Sequence, residues 1–271
     1  MTTLHHLSTL TPTSRMPVLF VGHGNPMNAI TENEFVQGFR DVAKQLPRPN
    51  AILCISAHWE TRGTQVTAMQ HPRTIHDFGG FPQELFEVQY PAPGSPELAQ
   101  QTKQTVTTSD ITLDTQWGLD HGAWSVIKHF YPNAAVPVVE LSLDYTQDAQ
   151  YHYDLAKQLT PLRENGVLII GSGNMVHNLR KADWRRIDEK FAFDWALEAS
   201  AKMKQHILAG NHRQLIDFRA QGPEFDLAIP TPEHFLPLLY TLGLQQKDEM
   251  PRLFNDSPVG GSLSMTSLII E

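Results

Sequence analysis

Three histidines stand just beyond three apolar runs. Ala51-Ile-Leu-Cys-Ile-Ser-Ala57 leads to His58, Pro17-Val-Leu-Phe-Val21 leads to Gly22-His23-Gly24, and Gly166-Val-Leu-Ile-Ile170 leads to Gly171-Ser-Gly-Asn-Met-Val-His177. Short runs rich in β-branched residues, bounded by Pro, Gly and Asn, read as buried strands of an α/β sheet. Open α/β sheets bind ligands in the crevice beyond the carboxyl ends of their strands. One histidine there would read as a hydrogen-bonded structural residue. Three, each past its own strand, point instead to a metal, because neutral imidazole is the commonest metal ligand and clusters of it favour zinc or non-haem iron.

The elements that must position these side chains follow from pattern. Phe35, Phe39, Val42 and Leu46 share one face of a helix from Glu34 to Leu46, which Pro47 and Pro49 end. Ser95-Pro96-Glu97 starts a second helix, which runs to Thr107. Between them, Thr61 to Gly94 is a long Gly- and Pro-rich connection holding a short strand at Gln65–Met69 and the stretch His76-Asp77-Phe78-Gly79-Gly80-Phe81. Connections of this length in a compact domain are often lids or binding loops. Gln116 to Trp124, with His121, reads as a loop leading into Ser125–Phe130. Ala135–Ser142 is a strand that Pro137 assigns to an edge or to a first-residue position. Ala149–Glu164 reads as one amphipathic helix, Phe191–Ala209 as another and Gln214–Phe218 as a short one. Thr231 and Pro232 open the last helix and put Glu233 and His234 in its positive first turn. Ser262–Ile270 is the final strand.

With 271 residues, 41% hydrophobic and 18% charged, the chain has material for a sizeable core. The net charge of -8 and the lack of a basic stripe argue against nucleic acid as a partner. Cys54, the only cysteine, lies inside a predicted strand and reads as a small buried hydrophobe. Residues 1–16 read as a flexible N-terminal arm, with His5 and His6 given no role, and 17–271 as one catalytic domain. The start does not look like a signal peptide, and no run reaches the ~18 apolar residues that span a bilayer. A cytoplasmic protein with no membrane contact is the expectation, its oligomeric state open. His129, His152, His206 and His212 sit in or beside helices without a partner motif and read as surface residues.

Five separated stretches together resemble one family: Gly22-His23-Gly24-Asn25-Pro26, Ser56-Ala57-His58-Trp59-Glu60, Gly118-Leu-Asp-His121-Gly-Ala-Trp124, Gly171-Ser-Gly-Asn-Met-Val-His177-Asn-Leu179 and Thr231-Pro-Glu-His234-Phe235. The pattern is similar to the class III extradiol ring-cleavage dioxygenases, in the branch called 4,5-DOPA dioxygenase extradiol, and runs from the first strand to the last. The resemblance implies an α/β fold: a single domain with a central mixed, mostly parallel sheet flanked by helices on both faces. It implies a mononuclear metal with His23 and His58 as ligands, His177 at the metal, His234 a further metal-site residue and His121 a nearby hydrogen-bonding residue. Better-known class III enzymes use two His and one Glu. Here Glu233 and His234 stand side by side, and His234 is taken because neighbours in a helix point about 100° apart.

An extradiol enzyme opens a catechol, L-DOPA or a related catecholic acid, with O2. Few ligands on one side of the ion leave room for both reactants. Fe(II) is the cofactor expected for ring cleavage, and Zn(II) the ion expected in a purified sample, since zinc binds more tightly in the divalent series. A second base must hold and return a proton, and His177 is assigned that work, with His121 bonding to bound oxygen or substrate. Trp59, Phe78, Phe81 and Trp124 are candidates for the wall of an aromatic pocket. Arg180 and Arg73 are candidates for a substrate carboxylate. Two other readings stay open: a zinc hydrolase with a carboxylate base such as Glu60, and a non-enzymatic interaction protein of the Memo type on the same fold.

Overall fold

The apolar runs become strands because their central residues find partners on both sides: Val18–Phe20, Ile52–Ile55 and Ile169–Ser172 are each paired with two neighbouring strands. The computed structural model describes residues 15–271, so His5, His6 and most of the expected arm lie outside the described residues. The strands are β1 (Val18–Gly22), β2 (Ala51–Thr61), β3 (Gln65–Thr67), β4 (Thr112–Asp114), β5 (Val138–Asp144), β6 (Val167–Gly173), β7 (Pro251–Phe254), β8 (Pro258–Val259), β9 (Leu263–Ser264) and β10 (Ser267–Ile270). Eight form one sheet in the order β4-β3-β5-β2-β6-β1-β10-β7, while β8 and β9 pair alone. The β5-β2-β6-β1 centre is parallel throughout, and β3/β5, β1/β10 and β10/β7 are antiparallel. A mixed, mostly parallel sheet results.

Strand pleating sends alternate residues to opposite faces. Val18, Phe20, Leu53 and Ile55 enter one core, with Leu155 and Met203 from the helices Ala149–Gln158 and Asp194–Leu208. Leu19, Val21, Ile52 and Cys54 enter the other, with Phe39 and Ile127 from the helices Glu34–Ala43 and His121–Phe130. Helices therefore cover both faces. Each fully buried Leu, Ile or Phe contributes about 1.5–3 kcal/mol, so the sheet stands on its apolar contacts. Among the described residues no helix is long and apolar enough to cross a membrane.

Several boundaries differ from the sequence reading, each for a local reason. Arg15 and Met16 belong to the body: Met16 is buried, its N–H donates to Arg163 O at 3.0 Å, and Arg163 Nε donates to Met16 O at 2.7 Å. Arg163 itself is buried and paired with Glu249 at 2.5 Å. Pro137 falls just before β5, which begins at Val138 and lies between β3 and β2, so the proline is neither on an edge strand nor the strand's first residue. The helix expected over Ala149–Glu164 breaks at Leu159, because Pro161 has no N–H for the Lys157 carbonyl. Thr160 Oγ1 donates to that carbonyl instead, at 2.9 Å. The expected final strand divides at Met265-Thr266 into β9 and β10. The helix Pro223–Ala228 had no counterpart in the sequence reading.

Two histidines read as surface residues are buried. His152 is fully enclosed with Nδ1 3.1 Å from the Tyr240 hydroxyl, and His129 Nε2 donates to Asn28 O at 2.8 Å. Each found a polar partner inside the core, which is what allows an imidazole to be buried. His206 and His212 are half-buried.

Candidate metal centre

The carboxyl ends of β1, β2 and β6 open onto one cavity of about 480 Å³, and five imidazoles line it: His23, His58, His121, His177 and His234. His23 follows β1 directly. His58 lies inside β2, where the register against β5 shifts between Ile55 and Glu60. Such an irregularity re-aims a side chain at a sheet end. His121 is the first residue of the helix His121–Phe130 rather than part of a loop, because the Asp120 carboxylate caps that helix by accepting from Ala123 N at 3.2 Å. The last helix starts at Leu236, not Pro232, leaving Glu233 and His234 in the preceding turn. A helix from Pro232 would ask Pro237 to donate to the Glu233 carbonyl, which proline cannot do. Gly173 brings β6 against that turn: a Cβ there would stand 2.1 Å from His234 O.

The ring nitrogens are oriented from outside. Nε2 of His23 and Nε2 of His58 face each other at 3.2 Å. Ser172 Oγ donates to Gly122 O at 2.5 Å and lies 3.1 Å from His23 Nδ1. With its only proton committed, Ser172 accepts from His23 Nδ1–H, and the lone pair of His23 is left on Nε2. Asp77 holds two rings with one oxygen. Its Oδ2 lies 2.9 Å from His121 Nδ1 and 3.5 Å from His58 Nδ1, while Oδ1 accepts the His121 backbone N–H at 2.9 Å. Glu233 Oε1 lies 3.0 Å from His234 Nδ1. The His177 and His234 rings stack in parallel, centroids 3.5 Å apart and planes at 7°. Donor atoms fall into two sets, His23/His58/His121 and His177/Glu233/His234, each set within 4.8 Å.

Burial keeps His23, His58, His177 and His234 neutral, which is the form that binds a metal. His23 and His234 are pushed well below the ordinary histidine range, first by burial and then by neighbouring imidazoles. His58 is lowered to about 3 by burial and by His121, against the pull of Asp77 and Glu233. His177 is lowered to about 4, again by burial first. Burial alone would raise Asp77; hydrogen bonding and charge from His121 and His58 hold it below its ordinary value. The donor set fits a divalent ion. Two nitrogens about 2.0–2.1 Å from one zinc, at angles of 90–109°, lie about 2.8–3.4 Å apart, and the 3.2 Å between His23 and His58 falls in that range.

Phe78 and Phe81 line the cavity, but the other pocket candidates do not. Trp59 sits on the opposite face of β2 from His58 and stacks on Trp117, centroids 5.7 Å apart and planes at 5°. Trp124 is fully buried behind Phe78, with Nε1 donating to Ile75 O at 2.7 Å. Arg180 is exposed outside the cavity, and Arg73 Nε donates to Trp117 O at 3.1 Å. Leu179, Trp184, Ile187 and Leu263 complete the wall instead. Asp77 was missed as a site residue. Its only signal was an acid beside His76 in the Gly-rich loop, and its ring partner is 44 positions away.

A mostly parallel sheet with an imidazole-rich crevice at its strand ends defines a metal-dependent α/β enzyme. A family model described as the catalytic LigB subunit of aromatic ring-opening dioxygenase matches residues 13–261, and the chain belongs to this extradiol dioxygenase family. It is 42% identical over 262 residues to a 4,5-DOPA dioxygenase extradiol of Escherichia coli K12, covering 95% of both chains. It is 35% identical over 255 residues to one of Beta vulgaris, covering 92% of this chain and 94% of the other. A crystal structure of an Escherichia coli K12 protein superposes with a TM-score of 0.80 at 37% identity, covering 95% of this chain and 100% of that one.

Proposed function

We propose that the chain opens a catechol ring with O2 at one metal ion held by His23, His58 and His234, with Fe(II) as the working ion and Zn(II) as the ion found after purification. The observation that carries this is the pair of Nε2 atoms at 3.2 Å, one of them held by Ser172 from behind. When bound, Fe(II) would acidify a catechol hydroxyl and gather both reactants at one charge.

The surrounding residues manage the protons. His121, with Nδ1 bonded to Asp77, turns Nε2 toward the cavity as an acceptor, and the carboxylate stabilises the imidazolium that proton uptake creates. His177 is neutral at working pH and lines the same cavity, so it accepts a hydrogen bond from a hydroxyl and returns a proton readily. Phe78 and Phe81 give a ring an apolar surface and exclude water. Glu60, the base named for the hydrolase reading, lies outside the cavity wall, and Asp77 and Glu233 are engaged with His121 and His234. A Memo-like binding role gives no work to five converging imidazoles.

L-DOPA, the compound in the relatives' names, is the first substrate to assay. Protein loaded anaerobically with Fe(II) and mixed with L-DOPA or 4-methylcatechol should consume O2 and form a yellow ring-opened semialdehyde. Full iron occupancy with no O2 uptake on any catechol would remove this reading.

A further inference from the structure

The cavity has two ends of different character. Its buried end holds the imidazoles, with His23 2% and His234 8% exposed. Its open end is mostly apolar: Phe78, Phe81, Leu179, Trp184, Ile187 and Leu263 form the wall beside Asn25, whose amide donates to Asp188 at 3.3 Å, and Leu179 and Trp184 are 44% and 64% exposed at the mouth. Among the described residues no lysine or arginine lines it, and residues 1–14 contain neither type. The cations nearest in sequence to Trp184 are engaged or turned to solvent. Arg186 stacks on Phe191 at 3.8 Å and pairs with Glu189 at 2.6 Å, while Lys181 and Arg185 are exposed. The charged side chains flanking the imidazoles are acids. Asp77 and Glu233 contact the rings, and Glu60 lies close enough to Glu233 for the two to repel.

A ring lying against the imidazoles has to run its substituent along the apolar wall. A carboxylate on that substituent would lose water and meet no lysine or arginine of the wall. We propose that this site selects catechols whose ring substituent carries no net negative charge, uncharged or with an ammonium group present, and rejects those bearing a lone carboxylate. The proposal narrows the ring-cleavage reading and rests on it for the catechol. It makes Leu179 and Trp184 the residues that set this preference, and it sets aside Arg180 as a carboxylate partner.

The test is binding, separate from turnover. Zn(II)-loaded protein does not turn over, so calorimetry at low salt can compare 4-propylcatechol with 3-(3,4-dihydroxyphenyl)propionate, whose side chain has the same three carbons. The propionate should bind on the order of tenfold more weakly or worse, as expected when a charge goes unpaired in a partly open site. Trp184→Arg, at an exposed position, should narrow that gap at least about threefold, and salt should reverse the gain. Leu179→Arg is the second variant and should act in the same direction. Equal or tighter binding of the propionate by the unaltered protein would overturn the proposal, and so would no binding of either compound. Selective binding without Fe(II)-dependent ring opening would support the selection while removing the dioxygenase reading.

Discussion

Asp77 divides its two oxygens among three donors: Oδ2 faces His121 and His58, and Oδ1 takes the His121 backbone. Asp77→Asn keeps the shape but withdraws the charge that stabilises an imidazolium. The variant should hold metal within about tenfold of the parent, while the ring-opening rate drops on the order of 10²–10⁴. Metal content and single-turnover rate on one preparation check this, and an unchanged rate would take Asp77 out of the chemistry. His177→Ala separates ligand from catalyst. As a proton carrier it should leave metal in place and lower kcat together with kcat/KM. Parallel loss of metal with His58→Ala would make it a ligand instead. At this scale His23, His58 and His177 were legible because each follows an apolar run, while His121 and His234 were legible from motifs that resemble a family. Asp77 was not, because its partner is remote in sequence. Trp59 was misplaced although strand pleating opposes it to His58, and that period was available to read.

Helix and strand ends decide how closely the imidazoles approach one another. Gly122, in the first turn of the helix His121–Phe130, packs where a Cβ would lie 2.4 Å from Ser56 Oγ and 2.9 Å from His58 Cδ2. Gly122→Ala raises helix propensity by up to about 1 kcal/mol yet pushes on the ring it backs. It should weaken metal affinity about 10–100-fold with only a small change in the Tm of the metal-free protein. Unaltered affinity by competitive chelation would show that His58 has room to move. The helices and central strands were legible from periodicity and caps, as Ser95 shows by accepting from Leu98 N at 3.1 Å. Their breaks were not, since Pro161 and Pro237 act through carbonyls four residues earlier that only a helix brings into conflict.

The whole molecule stores several neutral histidines, and that makes it acid-sensitive. His152 and His177 are lowered from 6.5 to about 4, and His58 to about 3, in each case by burial first. Below pH 6.5 the unfolded chain takes up protons that the folded chain refuses. Stability is therefore full above about pH 6.5 and falls as pH drops toward 4, where the folded rings begin to protonate. The Tm of the chelated protein should decline steadily from pH 7 to 4.5, and His152→Gln should make the decline shallower. A flat profile over that range would mean that these rings are solvated.

β1 carries His23 and is flanked by β6 and β10, with Val18 paired to both Ile169 and Ile270. On the ribosome, this apolar strand emerges well before the neighbours it pairs with, both of them far later in the chain. Until then both of its edges are open, and unpaired apolar edges are sites of aggregation. The nascent chain thus depends on holding Val18–Val21 apart until those neighbours are made, and the sheet end that leads to His23 is complete only once its most distant partner strand has arrived.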